Sequence, residues 1–361
     1  MKAAVCNEFG KPLTIEDLEI DPPRKGEVRV RIAATAICHS DIHAIRGEGS
    51  ANVPVVVGHE AAGVVEEAGE NVTLTKPGHR VVVCLLRSCG RCFYCTLGLP
   101  HLCEGEFALN KESRLHNRRG EVIYQGMRTA AFAEYCIVDQ SQVVQIPEGM
   151  PLDRAALLAC GVVTGVGAVF NTAQVEPGSS VVVIGTGGVG LNAVQGAALA
   201  GAHPIIAIDL LDGKLKAAGT FGATHTINAS EEKKPEEAVK MLTSGRGADY
   251  AFVTVGSAAA VAQALSLTRR RGSVVLVGMP APGASVSFQI NQFVRGEQRI
   301  MSSFMGSTRP SITIPRLIEL YQHGRLKLDE LITGRYPLER INEAIDAVEK
   351  GLALRNVIVF D

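Results

Sequence analysis

Tryptophan is absent from this sequence and aromatic residues make up only 5% of it, which disfavours an aromatic-rich lectin or sandwich. An excess of charge of either sign is also missing. Lys and Arg number 36 against 37 Asp and Glu, for a formal net charge of -1 and a pI near 6.8. No long-range field therefore marks nucleic acid or an anionic membrane as the partner, and the basic residues between 111 and 128 are too few to make a nucleic-acid face. No apolar run reaches membrane-spanning length without Gly or polar interruption, and the opening MKAAVCNEF lacks the apolar segment of an export signal. The expectation is a soluble, cytoplasmic protein with small-molecule partners.

Glycine and cysteine, by contrast, are plentiful. With 38 Gly in 361 residues, the composition suits an α/β protein with many short turns. The length predicts two domains, with a single-core barrel as the alternative. Nine cysteines, an odd number without an export signal, point to metal ligands and free thiols rather than a disulfide framework.

The N-terminal part reads as short strands between Gly/Pro turns: EVRVRIAATAI, PVVVGHEAAGVVEEAG and PGHRVVVCLL. Residues 104–130 break that pattern. They are polar, carry Arg118 and Arg119 in tandem, and read as a long surface excursion without chemistry. From 178 the period changes: GSSVVVIGTGGVGLNAVQGAALAGAHPIIAIDL predicts strand, Gly-rich turn, helix and second strand. ADYAFVTVG, GSVVLVG and QRIMSSFM are further strand candidates for an open parallel sheet. PRLIELYQHG and INEAIDAVEKG read as surface helices before a final NVIVF strand, and periodicity leaves open which domain this tail joins.

A Gly-rich turn alone is weak evidence, but here a strand precedes it, a helix follows, and Asp209 ends the next strand. In the run Gly185, Gly187, Gly188 and Gly190, the first would allow the tight turn. The second would admit a pyrophosphate to the backbone, and the last would permit close helix packing. A carboxylate at Asp209 accepts from an adenosine ribose and repels a 2′-phosphate, favouring NAD over NADP. Lys214 either leans over the same ribose or is a solvated surface lysine.

Cys89, Cys92, Cys95 and Cys103 follow the spacing C-x₂-C-x₂-C-x₇-C, short enough for one loop to wrap a tetrahedral ion. Four thiolates complete a zinc shell and leave no position for substrate, so this lobe reads as a staple; a [4Fe–4S] centre is the alternative. A reactive centre must come from elsewhere. CHSDIH supplies Cys38, Ser40, Asp41 and His43, GHE supplies His59 and Glu60, and LACGVVTG supplies Cys160. Two thiolates and an imidazole make a three-ligand zinc site with an open fourth position. Spacing does not prove that these three converge, and alone Cys160 reads as a buried apolar-face cysteine.

Taken together, these motifs resemble the zinc-dependent alcohol dehydrogenases of the medium-chain dehydrogenase/reductase family, through nearly the whole chain. The resemblance implies a GroES-like, β-rich catalytic domain over 1–161, with the structural zinc lobe at 89–103. It also implies a Rossmann doubly wound parallel-sheet cofactor domain over 162–304 and a return to the catalytic domain over 305–361, with the active site in the cleft between them. Catalytic zinc is then expected on Cys38, His59 and Cys160, structural zinc on the four-cysteine lobe, and NAD as the cofactor. Zinc would hold an alcohol oxygen and favour its alkoxide, hydride would pass reversibly to NAD, and the proton would leave through Ser40, the cofactor ribose and His43.

The same resemblance gives narrower roles to other residues. Asp41 would orient the imidazole ligand and Glu60 would sit behind the metal. Thr164 and Val189 match positions packed against the nicotinamide; Arg355 and His39 match positions at the pyrophosphate. Leu85 and Met279 match substrate-lining positions and suit a primary aromatic or medium-chain alcohol or aldehyde better than a sugar. Relatives that oxidise the glutathione adduct of formaldehyde carry an acid and an arginine where this chain has Gly49 and Phe107. An aldehyde–thiol adduct is therefore the alternative substrate, with Arg114, Arg118, Arg119 or Arg128 as candidate partners of an anionic carrier. A non-catalytic binding protein on this fold is a further reading, which the retained ligands disfavour. The family resemblance also implies a homodimer or homotetramer.

Overall fold

The computed structural model describes residues 1–48 and 52–360. The chain forms two compact units, Met1–Cys160 with Arg309–Asp361, and Gly161–Thr308.

The first unit is built from β-strands. One group closes into a barrel in the order Lys2–Cys6, Thr14–Ile20, Leu115–Asn117, Val122–Gln125 and Val55–Val56. The other is a seven-stranded sheet centred on the long strand Glu27–Ala36. Alternating residues of that strand, Val28, Val30 and Ile32, are buried with Ala61, Val65, Val81, Val83, Ala131 and Val138, as the period-two pattern of EVRVRI requires. The final strand, Arg355–Val359, pairs antiparallel with the same central strand. The C-terminal tail thus returns to the first unit, which periodicity left undecided.

Residues 104–130 are not the solvated excursion that their polarity suggested. They supply two strands that complete the barrel, and Leu109, Arg114, Leu115 and Ile123 are buried. Their polarity misleads because Arg114 carries its charge inward. It meets the buried Glu27 through Nε at 3.0 Å and Nη2 at 2.6 Å, a two-pronged pair across 87 residues. Arg114 is consequently committed to the fold and is unavailable to an anionic substrate.

The second unit is a six-stranded sheet, parallel throughout, ordered His225–Asn228, Ile205–Asp209, Val181–Ile184, Ala248–Val253, Thr268–Leu276 and Arg299–Ser302. Val181, Val182 and Val183 are wholly buried, as expected of a central parallel strand covered on both faces. Strand order reverses beside Val181–Ile184, the place where such sheets open a ligand crevice at their carboxyl ends. The Gly-rich turn follows this strand directly and leads into the helix Gly188–Leu199. No helix among the described residues is long and apolar enough to cross a membrane.

Candidate active site and zinc centres

The central strand Glu27–Ala36 gathers the first donor set. Its last residue, Ala36, lies opposite Glu60 on one side and Val357 on the other. Cys38, Glu60 and Arg355 are therefore delivered to one spot by three adjacent strands. The turn before Glu60 depends on Gly58, whose φ is +98° and whose imagined Cβ would lie 2.6 Å from the Phe132 backbone nitrogen. No other residue fits both the conformation and the approach, so His59 is aimed by the glycine before it. Cys160 arrives from the segment after the helix Leu152–Leu157.

The donor atoms of Cys38, His59, Glu60 and Cys160 all lie within 4.8 Å of one another, and all four residues are buried. Asp41 holds the imidazole from behind. Its Oδ1 meets His59 Nδ1 at 2.8 Å and accepts from the Gly58 amide at 3.0 Å, while Oδ2 accepts from the Cys38 amide at 3.1 Å. His59 Nε2, wholly buried, has no hydrogen-bond partner among the described residues. A buried ring nitrogen left orphaned beside two thiols is what a metal ligand presents, and the carboxylate on its other nitrogen sets the tautomer.

The electrostatics suit the same reading. The Cys160 thiol, hydrogen-bonded to Cys38, pulls the Cys38 thiol well below its ordinary value in spite of burial. That contact, reinforced by burial, pushes Cys160 well above. Burial opposes charge on His59, yet the Asp41 carboxylate, with help from Cys38, holds it well above the ordinary imidazole value. Burial drives the Glu60 carboxyl up to about 7 against the pull of Arg355. Two thiols sharing a proton beside a buried carboxylate form a donor set suited to a divalent, borderline-soft cation such as zinc.

The second set is Cys89, Cys92, Cys95 and Cys103, whose sulfurs also lie within 4.8 Å of one another. A tetrahedral zinc with Zn–S near 2.3 Å has S–S edges of about 3.8 Å, and Cys92 and Cys103 are 3.9 Å apart. That spacing matches one ion rather than the wider cage of an iron–sulfur cluster. Backbone amides of Cys89 and Gly105 point at Cys103 Sγ, at 3.2 and 3.3 Å, and that of Cys92 at Cys89 Sγ at 3.3 Å. A side chain at Gly105 would collide with Cys89 Cβ at 2.6 Å. Amide hydrogen bonds, those from Arg91 and Cys95 first, lower Cys89 and Cys92, the latter to about 6, whereas burial raises Cys95 to about 12. None of the nine cysteines, all among the described residues, is in a disulfide.

In the cofactor unit, Gly190 packs so closely that a Cβ would lie 1.8 Å from the Gly185 carbonyl oxygen. A Cβ on Gly187 would meet no protein atom, leaving room there for a ligand to approach the backbone. Asp209 Oδ2 accepts from the Thr186 amide at 2.7 Å and its hydroxyl at 3.0 Å; Oδ1 accepts from the Leu210 and Leu211 amides at 2.8 and 3.1 Å. Thr254, which sequence reading passed over, donates to the carbonyls of Ile184 and Gly185 at 3.1 and 2.7 Å and so braces the turn. Val189 is half-buried, and Thr164 is buried beside Met305 with its hydroxyl 3.7 Å from the sulfur. Lys214 is half-exposed on the helix Asp212–Thr220.

The remaining expected residues are dispersed. His39 is exposed and Ser40 half-buried at the start of the helix His39–Ile45; His43 is exposed on its last turn. Arg355 is buried and ion-paired with Glu60. Leu85 is half-buried, next to Cys84, whose thiol donates to the Ala159 carbonyl at 3.0 Å. Met279 is 69% exposed. Phe107 lies under the Arg87 guanidinium at 5.8 Å, and Gly49 falls outside the described residues. Arg118 pairs with Asp17 at 2.7 Å, whereas Arg119 and Arg128 are exposed and form no ion pair among the described residues.

A two-thiol, one-imidazole centre and a separate four-thiol lobe, together with a nucleotide-type turn on a parallel sheet, define a zinc-dependent NAD(P)-linked oxidoreductase. Residues 24–148 match the alcohol dehydrogenase GroES-like domain, and residues 188–323 match the zinc-binding dehydrogenase family. The chain is 39% identical to a class-3 alcohol dehydrogenase of Pisum sativum, over 99% of this chain and 97% of that protein. An alcohol dehydrogenase zinc-binding domain protein from Burkholderia ambifaria superposes with a TM-score of 0.95 at 35% identity, covering 100% of this chain and 98% of the other. The benzyl alcohol dehydrogenase of Acinetobacter calcoaceticus superposes at 0.94 with 31% identity, over 100% and 99%. The chain belongs to the zinc-dependent alcohol dehydrogenases of the medium-chain dehydrogenase/reductase family.

Proposed function

We propose that the enzyme oxidises a primary hydroxyl group with NAD, reversibly, on the centre formed by Cys38, His59 and Cys160. The observation that carries this reading is the buried His59 Nε2, without a hydrogen-bond partner among the described residues and beside the two thiols. When bound, zinc supplies Lewis acidity toward the substrate oxygen and NAD accepts the hydride. Asp41 fixes the imidazole, and Glu60, backed by Arg355, supplies a reserve carboxylate behind the donors. Ser40, half-buried at the start of the helix His39–Ile45, would take up the proton, and His43, exposed on the last turn of the same helix, would release it to solvent. The lobe of Cys89, Cys92, Cys95 and Cys103 is structural. Catalytic residues are drawn from 1–161 and 305–361, and cofactor contacts from 162–304: Thr164, the turn Gly185 to Gly190 with Val189, Asp209 and Lys214. From outside that range, His39 and Arg355 are assigned to the pyrophosphate.

The substrate we favour is an aldehyde–thiol adduct, an S-hydroxymethyl group on an anionic carrier. The class-3 relative, matched over nearly its whole length and at higher identity than the benzyl alcohol dehydrogenase, supports it. Arg128 is the carrier's partner. It is exposed and precedes Thr129, whose hydroxyl bonds the carbonyl of Gly58 beside His59 at 2.5 Å. A medium-chain or aromatic primary alcohol is the second reading, favoured by the benzyl alcohol dehydrogenase likeness. NADH formation across a panel of adducts and plain alcohols decides between them. Higher kcat/KM for the adduct, lowered selectively by Arg128→Ala, is expected. Equal preference for plain alcohols would overturn the adduct and leave the zinc chemistry standing.

A cytoplasmic homo-oligomer completes the proposal. The strand Arg299–Ser302 ends its sheet with one edge unpaired among the described residues, and Ile300 on it and Ile290 and Val294 on the helix Ile290–Gly296 before it are exposed, a surface suited to a second copy.

A further inference from the structure

The helix His39–Ile45 ends in a way that returns the chain onto one of its own residues. Gly47, at φ +77°, donates to the Ala44 carbonyl at 3.1 Å, and Glu48 donates its amide to the His43 carbonyl at 2.9 Å. These are the two bonds of a Schellman cap, with glycine at the left-handed position. Phe9 closes that position from outside, because a Cβ on Gly47 would lie 2.9 Å from its ring. The cap places the Glu48 side chain alongside the His43 ring, and Glu48 Oε2 meets His43 Nδ1 at 2.5 Å. His43 is thus held by Glu48 twice, through backbone and side chain.

We propose that Glu48 is a positioning residue for proton release. A carboxylate at Nδ1 accepts that nitrogen's proton, so the neutral ring keeps Nδ1–H and leaves Nε2 with the free lone pair. The incoming proton binds Nε2, giving an imidazolium whose Nδ1–H remains on Glu48. The same Nε2–H is then lost to water, and no net charge is stored. Side-chain exposures of 47% for His43 and 39% for Glu48 leave the ring open to solvent for that last step. The other charges of this helix end are engaged elsewhere, since Arg46 pairs with Glu349 at 2.6 Å. Glu48 is therefore the carboxylate that sets the ring's tautomer. This inference rests on His43 being the end of the proton path.

The test compares Glu48→Ala, Glu48→Gln and His43→Gln in the zinc-loaded enzyme, with ring nitrogen shifts of His43 by NMR, turnover, and the solvent deuterium isotope effect. Glu48→Ala is expected to mix the two neutral tautomers, lower kcat several-fold with KM little changed, and enlarge the isotope effect. Glu48→Gln, which keeps an acceptor at the same reach, is expected to restore much of the Nδ1–H tautomer and of the rate. A role confined to capping predicts lower thermal stability in Glu48→Ala with tautomer and isotope effect unmoved, and that result would overturn the proposal. Full turnover in His43→Gln would instead sink the proton path itself, whatever Glu48 does.

Discussion

Glu60 and Arg355, 295 residues apart in sequence, form a buried ion pair directly behind the Cys38, His59 and Cys160 donors. The two strands that carry them flank the same residue, Ala36, so the N- and C-terminal parts of the chain are joined at the metal centre.

Removing one partner of that pair leaves the other charge stranded. Arg355→Met is expected to lower stability by about 3–5 kcal/mol near pH 8, and Glu60→Gln added to it should recover part of the loss. Denaturant unfolding of the two variants reads this directly. A single-variant loss under about 1 kcal/mol would mean the pair is not desolvated.

The four-cysteine lobe makes a different prediction. Cys95→Ser removes a ligand from a closed site whose metal contributes folding energy. One of two zinc ions per chain should be lost on metal analysis and the thermal midpoint should fall, while turnover per folded molecule at low temperature stays near the parent value.

Asp209 is held by four hydrogen bonds, two of them from Thr186 in the Gly-rich turn. Asp209→Gly is expected to weaken NAD use and narrow the gap to NADP, and also to loosen the turn. Steady-state kinetics with both cofactors check the first part. Better efficiency with NADP in the parent enzyme would contradict the assignment.

Acid stability follows from Asp153, which joins the helix Leu152–Leu157 to the strand Ile332–Tyr336. Burial opposes its charge, but bonds from Arg154 and Arg335 hold the carboxyl below its ordinary value of 3.8. A depressed carboxylate stabilises the fold above the unfolded value, and that contribution disappears as pH falls through the folded one. The parent should therefore lose about 1 kcal/mol more than Asp153→Asn between pH 5 and the acid limb below about 3.8, measured by urea unfolding at each pH.

Much of the site was legible because its chemistry is written in residue type and spacing. The four thiols of the lobe are local, the Gly-rich turn is flanked by strand and helix, and the strands of the β-rich unit alternate cleanly. What stayed hidden depends on contacts between distant segments. Leu115–Asn117 and Val122–Gln125 are too short and polar to show a period, yet pairing with Thr14–Ile20 and Val55–Val56 makes them barrel wall. Arg114 reads as a surface cation until Glu27 is found facing it. Arg355 could be matched to a pyrophosphate contact, but its pairing with Glu60 follows only from strand order. Glu48 could have been suspected from Gly47, since a helix-ending glycine folds the next residue back toward the last turn.

The central claim is that Cys160, a residue with no local motif of its own, completes the reactive centre with Cys38 and His59. Metal content, cofactor binding and turnover of Cys160→Ser, measured on one preparation, test it most directly. The account predicts a folded protein that keeps the ion of the four-cysteine lobe, still binds NAD, and loses hydride transfer by several orders of magnitude as the other ion is weakened or lost. Near-normal turnover in a folded Cys160→Ser protein lacking that second zinc would contradict it.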